Sequence, residues 1–151
     1  ALPFATQLRC LDLSKNYISK QSGEQLVDYL RQLHLDQLDL TQDIHHTSFL
    51  CLLCAQLPEM NLQVLKFATR TLYNPEPAYQ ILAELLPTLT RLSHLDCGYL
   101  AYQPLIEAML NSTTLLSTKS YVPDLVHRAL ANNRLRHSTL LQYCLQPRQQ
   151  P

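Results

Sequence analysis

The feature that most narrows what this chain can fold into is a spacing. Leu8-Arg-Cys-Leu11-Asp-Leu13-Ser-Lys-Asn16-Tyr-Ile18 reads L-x-x-L-x-L-x-x-N-x-I. The frame returns 27 residues later at Leu35, with Leu38, Leu40, Asp43 and Ile44, and 27 residues after that at Leu62, with Leu65, Phe67, Arg70 and Leu72. A fourth copy, Leu92, Leu95, Cys97 and Leu100, follows after a step of 30. Self-similarity at a fixed period of this size marks a stacked repeat, in which each unit buries its apolar face only against its neighbours. Inside the first copy, Leu11 and Leu13 alternate with Cys10, Asp12 and Ser14, the period-two signature of a strand with its leucines inward.

These copies resemble the leucine-rich repeat, of the long ribonuclease-inhibitor-like type with a helix in every unit, over residues 8 to 137. The resemblance implies an α/β solenoid of four to six repeats: a horseshoe with parallel strands on the concave face and helices on the convex face. It also implies that the work is binding another protein. Clear repeats are expected over 8–111 and degenerate repeats or a cap over 112–145, together one domain, 1–145, with a loose tail at 146–151. The irregular repeats and the loss of Asn from the later copies are closest to bacterial effector proteins that act inside host cells. Asn16 stands at the family's asparagine position, where the side chain bonds loop backbone of a neighbouring turn. Asp43, Arg70 and Leu100 replace it in the later copies.

Between the strands the sequence predicts helices. Ser22-Gly-Glu-Gln25 reads as a capping box, followed by the apolar stripe Leu26, Leu30 and Leu33, with Glu24, Asp28 and Arg31 facing water. Thr47 or Ser48 can cap the next helix, Phe49 to Leu57, which is apolar nearly all round and so packed between neighbours. Asn74-Pro75 reads as an N-cap and first helical residue, with Ile81, Leu82, Leu85 and Leu86 inward and Pro87 ending the helix. A short helix over 104–110 begins at Pro104. Beyond Asn111 the register slips: Leu115 to Ser120 makes a strand only with polar residues at two core positions. Pro123 to Leu130 is predicted helical through Leu125, Ala129 and Leu130, with Leu135, Leu140 and Leu141 in a last strand or capping turn.

Composition excludes several classes of function. The 151 residues carry only two glycines, Gly23 and Gly98, standing apart, so no glycine-rich phosphate loop, dinucleotide fingerprint or nucleophile elbow can be written. No apolar run approaches the ~20 residues that span a bilayer, and no basic-then-apolar leader precedes the first repeat. The chain opens without Met a few residues before a complete copy, from which we expect a piece of a longer protein. Lys and Arg balance Asp and Glu at twelve each, but residues 1–107 carry seven basic against eleven acidic groups and residues 108–151 carry five against one. A nucleic-acid binder needs a denser basic stripe. The five cysteines sit at apolar positions rather than in a disulfide framework, which points to a reducing compartment such as the cytosol. Asn111-Ser-Thr113 matches a glycosylation acceptor, a pattern short enough to arise by chance.

His45, His46, Cys51 and Cys54 have the residue types of a zinc site. The two cysteines, however, lie in a strongly apolar helix, where cysteine behaves as a small hydrophobe. Cys144 with His127 or His137 has a nucleophile and base but no surrounding signature. Neither set is taken as a site, and no cofactor, metal or catalytic residue is expected. The strand positions between the leucines are the better candidates, because alternation points them away from the core and stacking sets equivalent positions side by side. One column is Asp12, Asp39, Lys66 and Asp96. Flanking columns are Cys10, Gln37, Val64 and His94, then Ser14, Thr41, Ala68 and Gly98, then Lys15, Gln42, Thr69 and Tyr99. The expected partner-binding residues are Asp12, Ser14, Gln37, Asp39, Thr41, Lys66, His94, Asp96 and Tyr99, with Tyr102 and Tyr121 as further aromatic anchors. The expected function is a non-catalytic, cytoplasmic protein-interaction domain with neither a small-molecule substrate nor a membrane. The alternative is the substrate-targeting segment of an enzyme, such as a ubiquitin ligase, whose catalytic domain lies outside this chain.

Overall fold

A computed structural model describes residues 7–41, 44–67, 72, 74–98, 101–118, 120 and 122–145, with side chains to 139. Each predicted leucine frame contains a short strand: β1 (Cys10–Asp12), β2 (Gln37–Asp39), β3 (Val64–Lys66) and β4 (His94–Asp96). They form one parallel sheet in sequence order, β1-β2-β3-β4. Five helices alternate with and follow them: α1 (Lys20–Leu30), α2 (Thr47–Met60), α3 (Glu76–Leu85), α4 (Gln103–Asn111) and α5 (Asp124–Leu145). Each helix packs against the next. The result is a mixed α/β body with the core between the sheet and the helix row.

The register matches the sequence columns. Leu11, Leu38, Leu65 and Leu95 pair across the sheet, and so do Asp12, Asp39, Lys66 and Asp96. Leu38, Leu65, Leu95, Leu40, Phe67 and Cys97 are sealed in the core, while Leu11 and Leu13 of β1 are half-buried. One backbone carbonyl per unit, that of Arg9, Asp36, Gln63 or Ser93, accepts from two successive N–H groups of the next unit, at 2.7–3.1 Å. Farther along, Leu13 donates to Asp39 O, Leu40 to Lys66 O and Phe67 to Asp96 O.

The helix row departs from expectation at its ends. The cap of α1 is Ser19, not Ser22: its hydroxyl accepts from Ser22 N–H at 3.2 Å, and the box at Ser22 lies inside the helix. The buried face is therefore Gly23, Val27 and Leu30, with Leu26 and Leu33 half-exposed. The cap of α2 is His46, which makes no side-chain capping bond; Thr47 instead donates its hydroxyl to Asn74 O. That helix runs past Pro58 to Met60 and ends at Asn61 in the left-handed conformation, φ 55°. Asn74 stands one residue outside α3, whose cap is Pro75, and still accepts from Glu76 N–H. The α3 interior is Ala78, Tyr79 and Leu82, and Pro87 lies in the 3₁₀ turn Leu86–Thr88 that ends it, as expected of proline.

The largest correction concerns the C-terminal part. The predicted strand or turn at Leu135 to Leu141 is absent, and α5 is one 22-residue helix. Nothing between Asp124 and Leu145 breaks it, since that stretch has neither glycine nor proline. Its inward face is Val126, Leu130 and Asn133, not Leu125, which is 61% exposed. Asn133 is buried because its amide donates to Ser112 O at 2.7 Å and Leu115 O at 3.0 Å. Residues 115–120 make a single parallel bridge, Ser117 with His94. Ser120 occupies the core position of Leu40, Phe67 and Cys97, and its hydroxyl takes the Cys97 N–H at 2.7 Å and lies 3.2 Å from Cys97 Sγ. Burial pushes the Cys97 thiol up to about 12, partly offset by that hydroxyl.

Two substitutions test this packing. An ideal Cβ on Gly23 would sit 2.7 Å from Phe49 Cγ, so Gly23→Ala should destabilise by about 1–3 kcal/mol despite alanine's better helix propensity. Ser120→Ala leaves the buried Cys97 N–H without its acceptor and should cost about 1–3 kcal/mol. Chemical denaturation of both variants checks these values, and an unchanged midpoint for either would contradict the corresponding contact.

Candidate functional site

The strands carry two faces. Leucines fill the inner one. Cys10, Asp12, Gln37, Asp39, Val64, Lys66, His94 and Asp96 line the outer one, exposed or half-exposed. The sheet thus brings together every candidate that lies on a strand, and Ser14 and Thr41 follow at the strand ends. Tyr99, Gln42, Ala68, Thr69 and Tyr121 lie outside the described residues, as do Asp43, Arg70 and Leu100 at the asparagine position. Tyr102 is turned elsewhere: its hydroxyl bonds Gln80 Oε1 on α3, and its ring lies 6.3 Å from that of buried Tyr79. It belongs to the helix side, so it extends no aromatic edge on the strand face.

The three aspartates have a local duty that the pattern of alternation does not reveal. Asp12 Oδ1 accepts Ser14 N–H at 2.8 Å, Asp39 Oδ1 accepts Thr41 N–H at 3.0 Å, and Asp96 Oδ1 accepts Gly98 N–H at 3.2 Å. Each carboxylate therefore ties down the turn in which the chain leaves its strand, a bond suited to Asp and Asn. Lys15 and Gly98 take positive φ in two of these turns, 64° and 73°. In the third unit Lys66 replaces the aspartate and reaches Asp39 Oδ2 at 3.4 Å. The Ser14 hydroxyl and N–H hold the Asp12 carboxyl below its usual range, helped by the charges of Lys66 and Lys15. Asn16 is structural too, but it bonds its own loop, Leu13 O at 2.6 Å and Ser14 O at 3.4 Å, rather than a neighbouring turn.

Among the described residues, two shallow recesses open on this face. One is lined by Cys10, Asp12, Gln37, Asp39, Val64 and Lys66 over Leu11 and Leu38. The other is lined by Lys66, His94, Asp96, Ser117 and Thr118 over Leu95. His94 Nδ1 lies 3.1 Å from Ser93 Oγ. Partial burial, then the charges of Arg134 and Lys66, push the His94 imidazole below its usual range. Ser117, Thr118 and Arg134 were not among the sequence candidates. Ser117 and Thr118 follow a degenerate frame, and the charge of Arg134 acts on His94 from α5, which is longer than the sequence predicts.

The zinc-like set does not converge on a site. Cys54 is sealed in the core, where burial pushes its thiol far up, and Cys51 is half-buried beside it on α2. His45 stacks on Tyr17 with ring centres 5.2 Å apart. Among the described residues no three His, Cys, Asp or Glu side chains group as metal ligands. The Cys144 side chain lies outside the described residues, while His127 and His137 are exposed on α5.

The chain is similar to two human proteins, PRAME family member 8 and PRAME family member 7. Each is 31% identical over 148 residues, covering 89% of this chain and 30% of the relative. The chain thus spans about 30% of the length of the curated relatives it matches. These relatives are leucine-rich-repeat-like, in keeping with a repeat-type fold. They are human and lend no support to the bacterial-effector resemblance. No protein-family model matches the chain.

The turn bonds yield a prediction. Asp39→Ala, which strands Thr41 N–H in a half-buried turn, should cost about 0.5–1.5 kcal/mol, whereas Asp39→Asn keeps an acceptor and should cost less. Asp12 should titrate below a free aspartate by NMR. Because its folded value is the depressed one, its stabilising contribution is complete above the unfolded value near 3.8 and is lost as pH falls through the folded value. Coincident titration of Asp12 in folded and urea-unfolded chain would contradict the bond.

Proposed function

We propose that this chain is a non-catalytic protein-interaction module that binds a partner protein on its outer strand face. The observation that carries the reading is the parallel register, which lines up polar side chains in columns on a leucine floor. Such columns form a fixed array at strand pitch, about 4.8 Å per step, that a partner reads by shape and charge. Similarity to leucine-rich-repeat-like proteins supports a protein partner over other classes.

In this reading the units curve into a solenoid with the strands on the concave side, residues 1–145 form one domain, and 112–145 act as its C-terminal cap. The buried Asn133 amide and the Ser120 hydroxyl support the cap, because each satisfies backbone groups where the stack stops. Four free cysteines, Cys10, Cys51, Cys54 and Cys97, support residence in a reducing compartment such as the cytosol. No described helix is long and apolar enough to cross a membrane.

Affinity capture from cytosolic lysate, using the chain and a variant with Asp12→Asn, Asp39→Asn, Lys66→Gln and Asp96→Asn, tests the reading. Amides rather than lysines are chosen because they keep an acceptor for the turn N–H groups. The expected outcome is a protein retained by the native chain and lost from a variant with a near-native melting curve. Equal retention by both would move the binding surface off the strand face.

A further inference from the structure

Helix α5 has a second face that the core does not use. Val126, Leu130 and Asn133 turn inward and are buried. On the opposite side Leu125, Arg128, Asn132, Leu135, Arg136 and Thr139 recur at helical spacing, and all are exposed. Leu125 is 61% and Leu135 65% exposed, the two most exposed leucines among the described residues. Every side chain from Arg134 to Thr139 is exposed, including His137, which falls on the register of the inward face, so the helix has run past the body there. Among the described residues Arg128 and Arg136 pair with no carboxylate. The one acidic residue of the helix, Asp124, stands a turn before Arg128 without pairing with it. Short helical stretches with no tertiary cover are marginal in water, so a projecting stretch gains most from a partner that covers it.

We propose that this outer face of α5 receives an acidic amphipathic helix of a partner protein, whose apolar side chains cover Leu125 and Leu135 and whose carboxylates meet Arg128 and Arg136. The surface is distinct from the strand face and does not depend on it. Charge complementarity selects an acidic occupant, because both guanidinium groups are displayed without an anion and arginine holds carboxylates in two-point contact. The leucines select a protein. A nucleic-acid backbone calls for a basic stripe, whereas here leucines interleave with arginines. A helix that lies in a membrane surface turns its apolar side to the lipid, whereas the apolar side of α5 is committed to the core. Leu125 and Leu135 lie roughly 15 Å apart along the helix axis, about three turns. A partner helix laid along α5 covers both with about three turns of its own, presenting leucines every third or fourth residue.

NMR titration of the chain with Ac-Glu-Leu-Glu-Glu-Leu-Leu-Glu-Glu-Leu-Glu-Glu-Leu-Leu-Glu-NH2 tests this, beside a counterpart in which Lys replaces every Glu. The acidic peptide should shift the amides of Leu125, Arg128, Leu135 and Arg136 and leave those of Asp12, Asp39 and Asp96 in place. Leu135→Gln should weaken it about three- to tenfold and Arg136→Gln about two- to fivefold, the scales of a partly covered leucine and of a partly exposed charge pair. Both positions are exposed, so both variants should keep a near-native melting curve. Equal shifts from the lysine peptide would overturn the choice of an acidic occupant. Absence of shifts on α5, or binding of the acidic peptide to the strands instead, would overturn the surface itself while leaving the strand-face reading intact. If sedimentation of the chain alone shows a dimer that Leu135→Gln abolishes, a second copy covers the face and the proposal falls. It falls equally if a DNA duplex or phosphatidylserine vesicles shift the same amides more strongly than the peptide does.

Discussion

Everything on the strand face depends on a single hydrogen-bond arrangement used four times. The carbonyls of Arg9, Asp36, Gln63 and Ser93 each accept two successive N–H groups from the next unit, which fixes the units in parallel register. With side chains alternating along a strand, a slip of one residue would turn every leucine outward and every polar residue inward. The leucine columns and the ladder therefore enforce one another. Burying Leu38, Leu65 and Leu95 demands this register, and the register in turn sets Asp12, Asp39, Lys66 and Asp96 in a row. Surface ion pairs such as Arg91 with Asp36 at 3.2 Å, or Arg31 with Glu59 at 2.7 Å, join neighbouring units but are exposed enough to add little.

Beyond β4 side chains take over from the ladder: Ser120 supplies the acceptor that a next strand's carbonyl supplies to Leu40 and Phe67, and Asn133 covers two further carbonyls. Hydroxyl and amide groups suit that task because buried backbone groups must find partners. In the first unit Leu8 is 37% exposed where Leu35, Leu62 and Leu92 are buried, and Tyr17 and Tyr29 face solvent. The polar residues that look like errors in a degenerate repeat are thus the parts that satisfy its backbone.

The existence, order and spacing of the four strands were legible in the sequence because the leucine frame states a burial pattern, and burial sets the register. Helix α2 was legible for the same reason, its apolar surface fitting a position between α1 and α3. Helix boundaries were less so. Ser19 and Ser22 are both residues of a type that caps helices, and it is the Ser19 hydroxyl that accepts Ser22 N–H. The full length of α5 was not legible, since the burial of Asn133 depends on carbonyls 21 and 18 residues earlier. At the candidate site the columns followed from alternation. The turn-holding role of the aspartates did not, because a carboxylate between leucines looks the same whether it faces solvent or its own backbone. The effect of the Arg134 charge on His94 was out of reach, since it exists only through α5.

The aspartates do more than face solvent. Each anchors a turn through one oxygen, and in Asp39 the other oxygen lies 3.4 Å from Lys66. Both contacts require the register that the ladder sets. Native-state amide hydrogen exchange tests it most directly, residue by residue. Slow exchange, as one cooperative group, is expected at Gln37, Leu40, Val64, Phe67, His94 and Leu95, with Cys97 protected alongside them by the Ser120 hydroxyl. Fast exchange at Val64, Phe67 and His94 in a chain that is otherwise protected would contradict it, for the columns would then have no scaffold.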